Sequence, residues 1–285
     1  MPRQVKSFFD SVTATWSHVL WDTGQKRAAI IDPVLDYDPY SGRTSTHSAD
    51  HIIEFVSAEG LALDWVLETH AHADHMSCAQ HIKERLGGTV AISDGIRSVQ
   101  NTFKKVFDLG SEFDVDGSQF DRLLHDGEHL SLGDLEILSM ATPGHTSDSM
   151  SLRVDDAVFI GDTMFSPVYG TARCDFPGGD AKSLYRSIGR LLALPADTTL
   201  YLCHDYPGPG QSPIASTSVA SQQKNIHVGE GVTEEEFIAM RDSRDATLEL
   251  PRLLLPSIQV NIRAGRLPEP AANGVSYLKI PLNEL

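Results

Sequence analysis

Cysteine is scarce in this chain of 285 residues: there are three, Cys78, Cys174 and Cys203. So few, and an odd number, cannot build a disulfide framework and suit a reducing compartment. Long apolar runs are also missing. None reaches the roughly 18 residues that a membrane-spanning helix needs. The N-terminal stretch MPRQVKSFFDSVTATWSHVL has no apolar core, because Asp10, Ser11, Thr13 and Ser17 interrupt it. No secretory signal is therefore expected, no Arg-rich, acid-poor leader is visible, and the expected compartment is the cytoplasm. Positive charge is the third shortage. Lys and Arg total 23 against 39 Asp and Glu, a formal net charge of −16. A chain without a basic face is poorly suited to a phosphate backbone or an anionic membrane, which excludes nucleic acid as the main partner and argues against a nuclease. Repeats, low-complexity tracts and Pro/Gly/Ser linkers are lacking too. What remains is an acidic globular chain, 41% apolar and 22% charged, long enough to bury a substantial core.

Hydrophobic patterning gives strands in runs, broken by helices that follow short apolar strands. Strands are expected at Val19–Trp21, Ala28–Asp32 (stopped by Pro33), Trp65–Thr69, Thr89–Ile92, His125–His129, Leu135–Ala141, Met150–Val154, Val158–Ile160 and Leu200–Cys203. Ser48 to Glu59 reads as an amphipathic helix with Ile52, Ile53 and Val56 on its apolar side and Gly60 at its end. A second helix follows His75, with Cys78, Ile82 and Leu86 on one face and Gly87-Gly88 closing it. Asp180 opens a third, whose Leu184, Ile188, Leu191 and Leu192 share a face. The tail reads as mainly helical: Thr233 and Glu236 have capping-box spacing, and Pro251 suits the first turn of a helix. Together these indicate mixed α and β layers in a single domain over 1–285, a core of about 10–210 with a helical C-terminal extension of about 211–285. The seam is expected near Ser212–Gln222.

Twelve histidines are present, and five sit in unusual places. The segment Thr69-His70-Ala71-His72-Ala73-Asp74-His75 packs three imidazoles and a carboxylate together. In extended chain His70 and His72 point to one side, while Asp74 and His75 lie where the chain turns into a helix. His145 follows in Pro143-Gly144-His145-Thr146, Asp162 ends an apolar strand in Gly161-Asp162-Thr163, and His204 ends another. Without a compensating cation, such a cluster would bring several desolvated or mutually repelling groups to one place. Nitrogen and carboxylate oxygen without thiolate suit Zn, Fe(II) or Mn. His18, His47, His51, His81, His125, His129 and His227 read as structural or surface residues. Cys78 and Cys203 read as small buried hydrophobes, Cys203 pointing away from His204 by strand alternation. Cys174 lies in a polar, Gly-rich loop where a reactive thiol is conceivable.

The HxHxDH segment at 70–75, with His145, Asp162 and His204 in this order, resembles the metallo-β-lactamase superfamily over about residues 15–210. That resemblance implies an αββα sandwich with a metal site at one edge of its two sheets. Within the superfamily the chain looks most like persulfide dioxygenases and the related β-lactamase-like hydrolases of sulfide detoxification. The supporting segments are GDTMFSPVYGTARCDFPGGD at 161–180, Leu202-Cys203-His204-Asp205-Tyr206 and Asn261-Ile262-Arg263-Ala264-Gly265. It implies one Fe(II) per subunit on His70, His145 and Asp162, with His72, Asp74, His75 and His204 either around it or holding a second metal, as in dinuclear relatives. A three-ligand face leaves positions open for a persulfide sulfur and O2. His72 and His204 are the expected proton carriers.

The implied substrate is glutathione persulfide, oxidised by O2 to sulfite and glutathione, and the implied assembly is a homodimer. Two carboxylates on the substrate call for guanidinium groups. Arg173 matches a family arginine, Tyr206 could bond the peptide part, and Lys224, Arg241 and Arg263 in the tail are weaker candidates that read rather as solvated or structural. Two departures stand out: Thr171 lies near the position where some relatives carry cysteine, and Asp36–Asp50 reads as an insert. The alternative is a hydrolase of glutathione thioesters with one or two Zn, similar to glyoxalase II, for which all seven ligands are present. A binding module that kept the fold is disfavoured by that same intact set.

Overall fold

The structure is a computed structural model that describes residues 3–283. The first half of the chain runs β1 (Arg3–Asp10), β2 (Thr15–Asp22), β3 (Arg27–Ile31), β4 (Val34–Asp38), β5 (Arg43–Ser45), α1 (His47–Ala58), β6 (Ala62–Leu67), β7 (Met76–Ser77), α2 (Ala79–Leu86), β8 (Thr89–Ser93), α3 (Ile96–Val106) and β9 (Arg122–Leu124). The second runs β10 (His129–Leu132), β11 (Leu135–Ala141), β12 (Met150–Val154), β13 (Ala157–Phe159), α4 (Ala181–Leu192), β14 (Thr199–Tyr201), β15 (Ser216–Ser218), α5 (Val219–Gln222), α6 (Glu234–Asp245) and α7 (Leu254–Asn261). Six strands in the order β1-β2-β3-β6-β8-β9 make one sheet and β10 to β15, in sequence order, make the other. The insert expected at Asp36–Asp50 forms the β4–β5 hairpin, whose β4 pairs with β7 in a small third sheet, and the first turn of α1.

Strand alternation explains the layering. Ala29 and Ile31 of β3 face inward with Leu67, Leu130, Ile137 and Leu152, forming the core between the sheets. Ala28 and Ile30 of the same strand face outward, onto Ile52, Val56, Ile82, Phe103 and Ile258 of the helices. On the far side Val158 and Leu200 pack on Leu184, Ile188 and Leu191 of α4 and on Phe237 of α6. The order is therefore helix, sheet, sheet, helix, the expected αββα sandwich. The tail divides between the outer layers: α6 joins α4, while α7 returns to the first layer and packs against β7. The Ser212–Gln222 stretch supplies an edge strand and a short helix.

Several elements depart from the expectations. His125–Glu128 is a turn, not a strand, and only His129 is extended, as the first residue of β10: Gly127 has φ +79° and its N–H donates to the Ser139 carbonyl at 2.8 Å. The last helix starts at Leu254, after a turn in which the Leu254 N–H bonds the Pro251 carbonyl at 3.0 Å. The capping box of α6 is present, and Asp180 caps α4 by accepting the Ser183 N–H at 2.7 Å.

His18, buried between β1, β3 and β14, shows how a structural histidine behaves here. One ring nitrogen bonds the Ser7 hydroxyl at 2.9 Å and Nε2–H donates to the Leu202 carbonyl at 2.9 Å. Burial, only partly offset by that carbonyl, lowers its pKa from 6.5 to about 4. An unfolded chain then binds a proton that the folded one resists. Stability is full above about pH 6.5 and falls as the pH drops towards 4, by on the order of 3 kcal/mol from this group. Melting temperatures followed over this range should fall more steeply for the wild type than for His18→Gln; parallel curves would contradict the assignment.

Candidate metal centre

The histidine segment leaves the end of β6 in the core and must cross the sheet edge without a strand partner. Asp32, just past β3, holds it there. Its carboxylate accepts the Thr69 N–H at 2.7 Å, the Thr69 hydroxyl at 2.9 Å and the ring Nε2–H of His72 at 3.0 Å. Asp32 itself sits at φ +51°, which Asp tolerates better than most residues. From the opposite side Asn261 of α7 donates to the carbonyls of His72 and His75 at 2.7 and 2.8 Å and accepts the Ser77 N–H at 2.8 Å. The Asp148 carboxylate takes the Ala71 N–H at 2.9 Å. The loop is thus held at both ends and in the middle by buried side chains, although no strand contains it.

Two glycines let the other elements approach. Gly161, at φ +51°, brings the end of β13 so close that a Cβ would lie 2.8 Å from the Thr69 side chain. Gly144, at φ +142°, abuts the backbone of Leu184, where a Cβ would collide with the first turn of α4. This close packing delivers Asp162 and His145 to the histidine segment.

The result is a ring of imidazoles. His70 and His72 have centroids 4.0 Å apart, His72 and His75 4.1 Å, and His70 and His145 5.1 Å. Ligand-capable atoms of His70, His145 and Asp162 lie within 4.8 Å of one another. Asp162 is central: its carboxylate is 3.6 Å from His145 Nε2 and 3.4 Å from His204 Nε2. Each ring is turned by a partner on its outer nitrogen. His145 Nδ1–H donates to the Arg173 carbonyl at 2.8 Å and His204 Nδ1–H to the Ala14 carbonyl at 3.2 Å. His75 Nδ1 and His70 Nδ1 meet the hydroxyls of Thr15 and Thr69 at 3.4 and 3.1 Å. What is left facing the centre is a set of buried atoms without a well-formed hydrogen bond: His70 Nε2, His72 Nδ1, His75 Nε2, and the Asp162 Oδ1 and His204 Nε2 atoms, which approach carboxylate or imidazole only as ion pairs. Each such orphan costs about 1–3 kcal/mol. They fall into neighbouring groups, His70 with His145 and Asp162, His72 with Asp74 and His75, and Asp162 with His204, each with ligand atoms within 4.8 Å, and such groups fit one or two metal cations.

Electrostatics sorts the rings into two kinds. Burial, aided by neighbouring imidazoles, holds His70 and His75 below the usual histidine range. At His72 burial works the same way, but the Asp32 carboxylate, with Glu68 behind it at 3.5 Å, outweighs it and raises the pKa well above normal. At His204 burial is likewise overcome, by Asp162 and then Asp74, and the pKa rises to about 9. Asp74 and His204 form an ion pair of 3.0 Å.

The family model of the metallo-beta-lactamase superfamily matches residues 11–204. The chain belongs to this superfamily. A "Probable metallo-hydrolase" of Burkholderia pseudomallei is 55% identical over 99% of both chains, and a "Glyoxylase B2" of Dictyostelium discoideum is 46% identical over 99% of this chain and 98% of that one. The "Persulfide dioxygenase ETHE1, mitochondrial" of Homo sapiens is 25% identical over 93% of this chain and 89% of its own. Among solved structures, ETHE1 from Myxococcus xanthus superposes with a TM-score of 0.73 at 30% identity, covering 92% of this chain and 100% of that one. Among the described residues no helix is long and apolar enough to cross a membrane.

The superfamily site opens into a cavity of about 300 Å³ whose wall includes Asp74, His145, Asp162, Arg173, Tyr206 and Arg241. Arg173 is there as expected, but its guanidinium is engaged: Nε and Nη2 donate to Asp175 at 2.6 and 2.5 Å and Nη1 to the Glu249 carbonyl at 2.6 Å. Its free contribution is the carbonyl that orients His145. Tyr206 lies parallel to the His204 ring, 6.1 Å away. Arg263 stands elsewhere, over the Phe113 ring.

Two cysteine expectations change. Cys203 does not point away: β14 ends at Tyr201, so strand alternation does not extend to it. Its thiol instead lies under the centre, 3.7 Å from Asp32 and close to Asp162 and His204, and burial raises its pKa well above normal. Cys174 is buried and its pKa is pushed up to about 12 by that burial, the opposite of a reactive thiol. Asp32, Glu68, Thr15 and Asp148 were not read as site residues. Of these, only Asp32, an Asp before Pro at a strand end, carried a local signal.

Proposed function

We propose that the chain is an iron-dependent persulfide dioxygenase, oxidising glutathione persulfide with O2 and water to sulfite and glutathione, with one Fe(II) per subunit on His70, His145 and Asp162. One observation carries this reading. The ligand atoms of His70, His145 and Asp162 converge within 4.8 Å, with His145 and Asp162 on the wall of the open cavity; the similar group of His72, Asp74 and His75 is where the hydrolase alternative would place a second metal. In this reading His72, whose Nε2–H donates to Asp32 at 3.0 Å with Glu68 at 3.5 Å, carries a proton rather than the metal. Bound ferrous iron would hold sulfur and O2 together and relay electrons from the sulfur to O2, which redox-inert d¹⁰ zinc could not do.

The chain's own groups have defined tasks in this reading. His145 keeps its Nδ1 proton on the Arg173 carbonyl and so turns the bare Nε2 to the centre. His72 presents Nδ1–H to the sulfur oxygens as they gain charge, with Asp32 and Glu68 holding the ring in place. His204 is the second proton carrier, and Tyr206 shields it from the cavity. Relatives named as a persulfide dioxygenase and as ETHE1 support the assignment, and one named as a glyoxylase supports the alternative of a zinc hydrolase of glutathione thioesters. The decisive experiment loads the protein anaerobically with Fe(II), adds glutathione persulfide and follows O2. Uptake matched by sulfite is expected. No uptake by protein with bound iron, with turnover of S-lactoylglutathione by the zinc form, would replace this reading by the hydrolase.

A further inference from the structure

The roof of the cavity is α6, an acidic helix whose two arginines are its residues that line the cavity. Arg241 and Arg244, three apart on that helix and so on one face, both line the cavity, with Leu248 and Pro251 beyond them. Opposite them the wall is made of Asp74, His145 and Asp162. The arginines differ in how they are satisfied. Arg173 is paired with Asp175, and Arg241 with Asp245 and, through Nη1, with the Thr171 carbonyl at 3.2 Å. Arg244 is exposed at the cavity rim and has no carboxylate partner among the described residues.

Of the three arginines that line the cavity, Arg244 is therefore the one with no carboxylate paired to it among the described residues. A second observation points the same way. Arg241 is 1% exposed, and its Nε–H has no partner although the side chain borders the cavity. A buried, unsatisfied donor beside an unpaired guanidinium is an arrangement completed by an oxygen anion. The charge is felt at the neighbouring ring of His227: burial, followed by Arg241 and Arg244, brings its pKa down to about 4.

We propose that Arg244, backed by Arg241, binds a carboxylate of the substrate and thereby sets its reacting sulfur over the metal-binding wall. This deepens the proposed function, on which it rests for the sulfur chemistry. The class of substrate it selects is a low-molecular-weight thiol derivative that carries a carboxylate several bonds from its sulfur. The specificity element accordingly lies in the C-terminal tail rather than in the histidine segment, and Arg173 supports the floor by orienting His145.

The test compares the wild type with Arg244→Ala and Arg244→Lys, first checking that all three retain the same metal content and melting temperature, as expected for an exposed residue. Binding of S-methylglutathione to the metal-loaded protein, measured by calorimetry, should weaken roughly 10- to 100-fold in Arg244→Ala. The lysine variant should recover part of it, since a point charge replaces the fork. The analogue with its glycine carboxylate amidated should bind wild type and Arg244→Ala equally weakly. In O2 uptake with glutathione persulfide the loss should appear in KM rather than in kcat. Equal binding of S-methylglutathione by wild type and Arg244→Ala, or no binding by the wild type, overturns the inference. Oxygen uptake with an unchanged KM in Arg244→Ala overturns it while leaving the dioxygenase standing. Arg244-dependent binding without oxygen uptake does the reverse.

Discussion

Replacing Asp162 by alanine is expected to remove metal retention and activity together, with a much smaller effect on the metal-free fold. Asp162 stands between His145 and His204, at 3.6 and 3.4 Å, and one of its oxygens has no well-formed hydrogen bond. In the metal-free protein that oxygen lacks a good hydrogen bond, but the carboxylate also stabilises charged His204, so its removal should lower the melting temperature in a chelator only modestly. In the metal-loaded protein the stabilisation by bound metal should disappear, because binding to the folded state alone stabilises in proportion to affinity. Loss of an outer partner of a metal site costs about 10–100-fold in affinity or activity, so loss of this ligand should exceed that range. Metal analysis after dialysis, with melting curves in metal and in chelator, reads both effects. Stoichiometric metal in Asp162→Ala would remove it from the ligand set. His204 should change with it, since Asp162 is the first of the two carboxylates that hold its pKa at about 9; in Asp162→Ala that value should fall, with Asp74 left as the partner.

The elements legible in the sequence are those whose pattern is local. Leu135–Ala141 and Met150–Val154 alternate or run apolar between turn residues, and they match β11 and β12 residue for residue. Asp180 and Thr233 announce α4 and α6 because a cap is a contact over three residues. α3 was missed, although Ile96, Val99 and Phe103 have helical spacing. Gln100 breaks the stripe, and it is buried only because its amide reaches Ile262, Gln119 and Gly117. β1 was missed because its partner strand, β2, covers it through backbone pairing rather than a buried face.

The centre divides in the same way. Clustered imidazoles are visible as a string of letters, since their chemistry has few uses without a cation. Their supports are not. Asp32 and Asn261 are 229 positions apart on either side of the His72 loop, as their numbering gives, and nothing in either neighbourhood indicates that both will turn inward on it. The expectation that Cys203 points away failed for a related reason, because the alternation rule applies only while a strand lasts. Arg173 was legible as a cavity residue, whereas its pairing with Asp175 and the unpaired state of Arg244 depend on how the tail folds over the site.

Asp32→Ala should give the largest loss of stability of any single change at the centre. The carboxylate is fully buried and serves three donors at 3.0 Å or less: the Thr69 N–H, the Thr69 hydroxyl and His72 Nε2–H, with the Cys203 thiol at 3.7 Å. Burial favours the neutral acid, yet His72 outweighs it and holds Asp32 ionised below the usual range. Removing one partner of a buried ion pair leaves the other charge stranded, at a cost of about 3–5 kcal/mol. Here Glu68, 3.5 Å from His72, stays behind, so part of that cost is relieved and the lower end of the range applies to the pair. The two orphaned Thr69 donors add about 1–3 kcal/mol each, and alanine at φ +51° adds backbone strain. Asp32→Asn keeps the shape and the tolerance of that φ but turns one acceptor into a donor facing His72, so it should fall between wild type and alanine. Urea unfolding in the presence of a chelator isolates this from metal binding, and the order wild type, Asn, Ala is the expected result. If all three unfold alike without metal and differ only in metal affinity, Asp32 serves the ligands and not the fold. If the loss appears in the metal-free protein, the same carboxylate does both: the residue that aims His72 also fixes the loop that carries His70, Asp74 and His75.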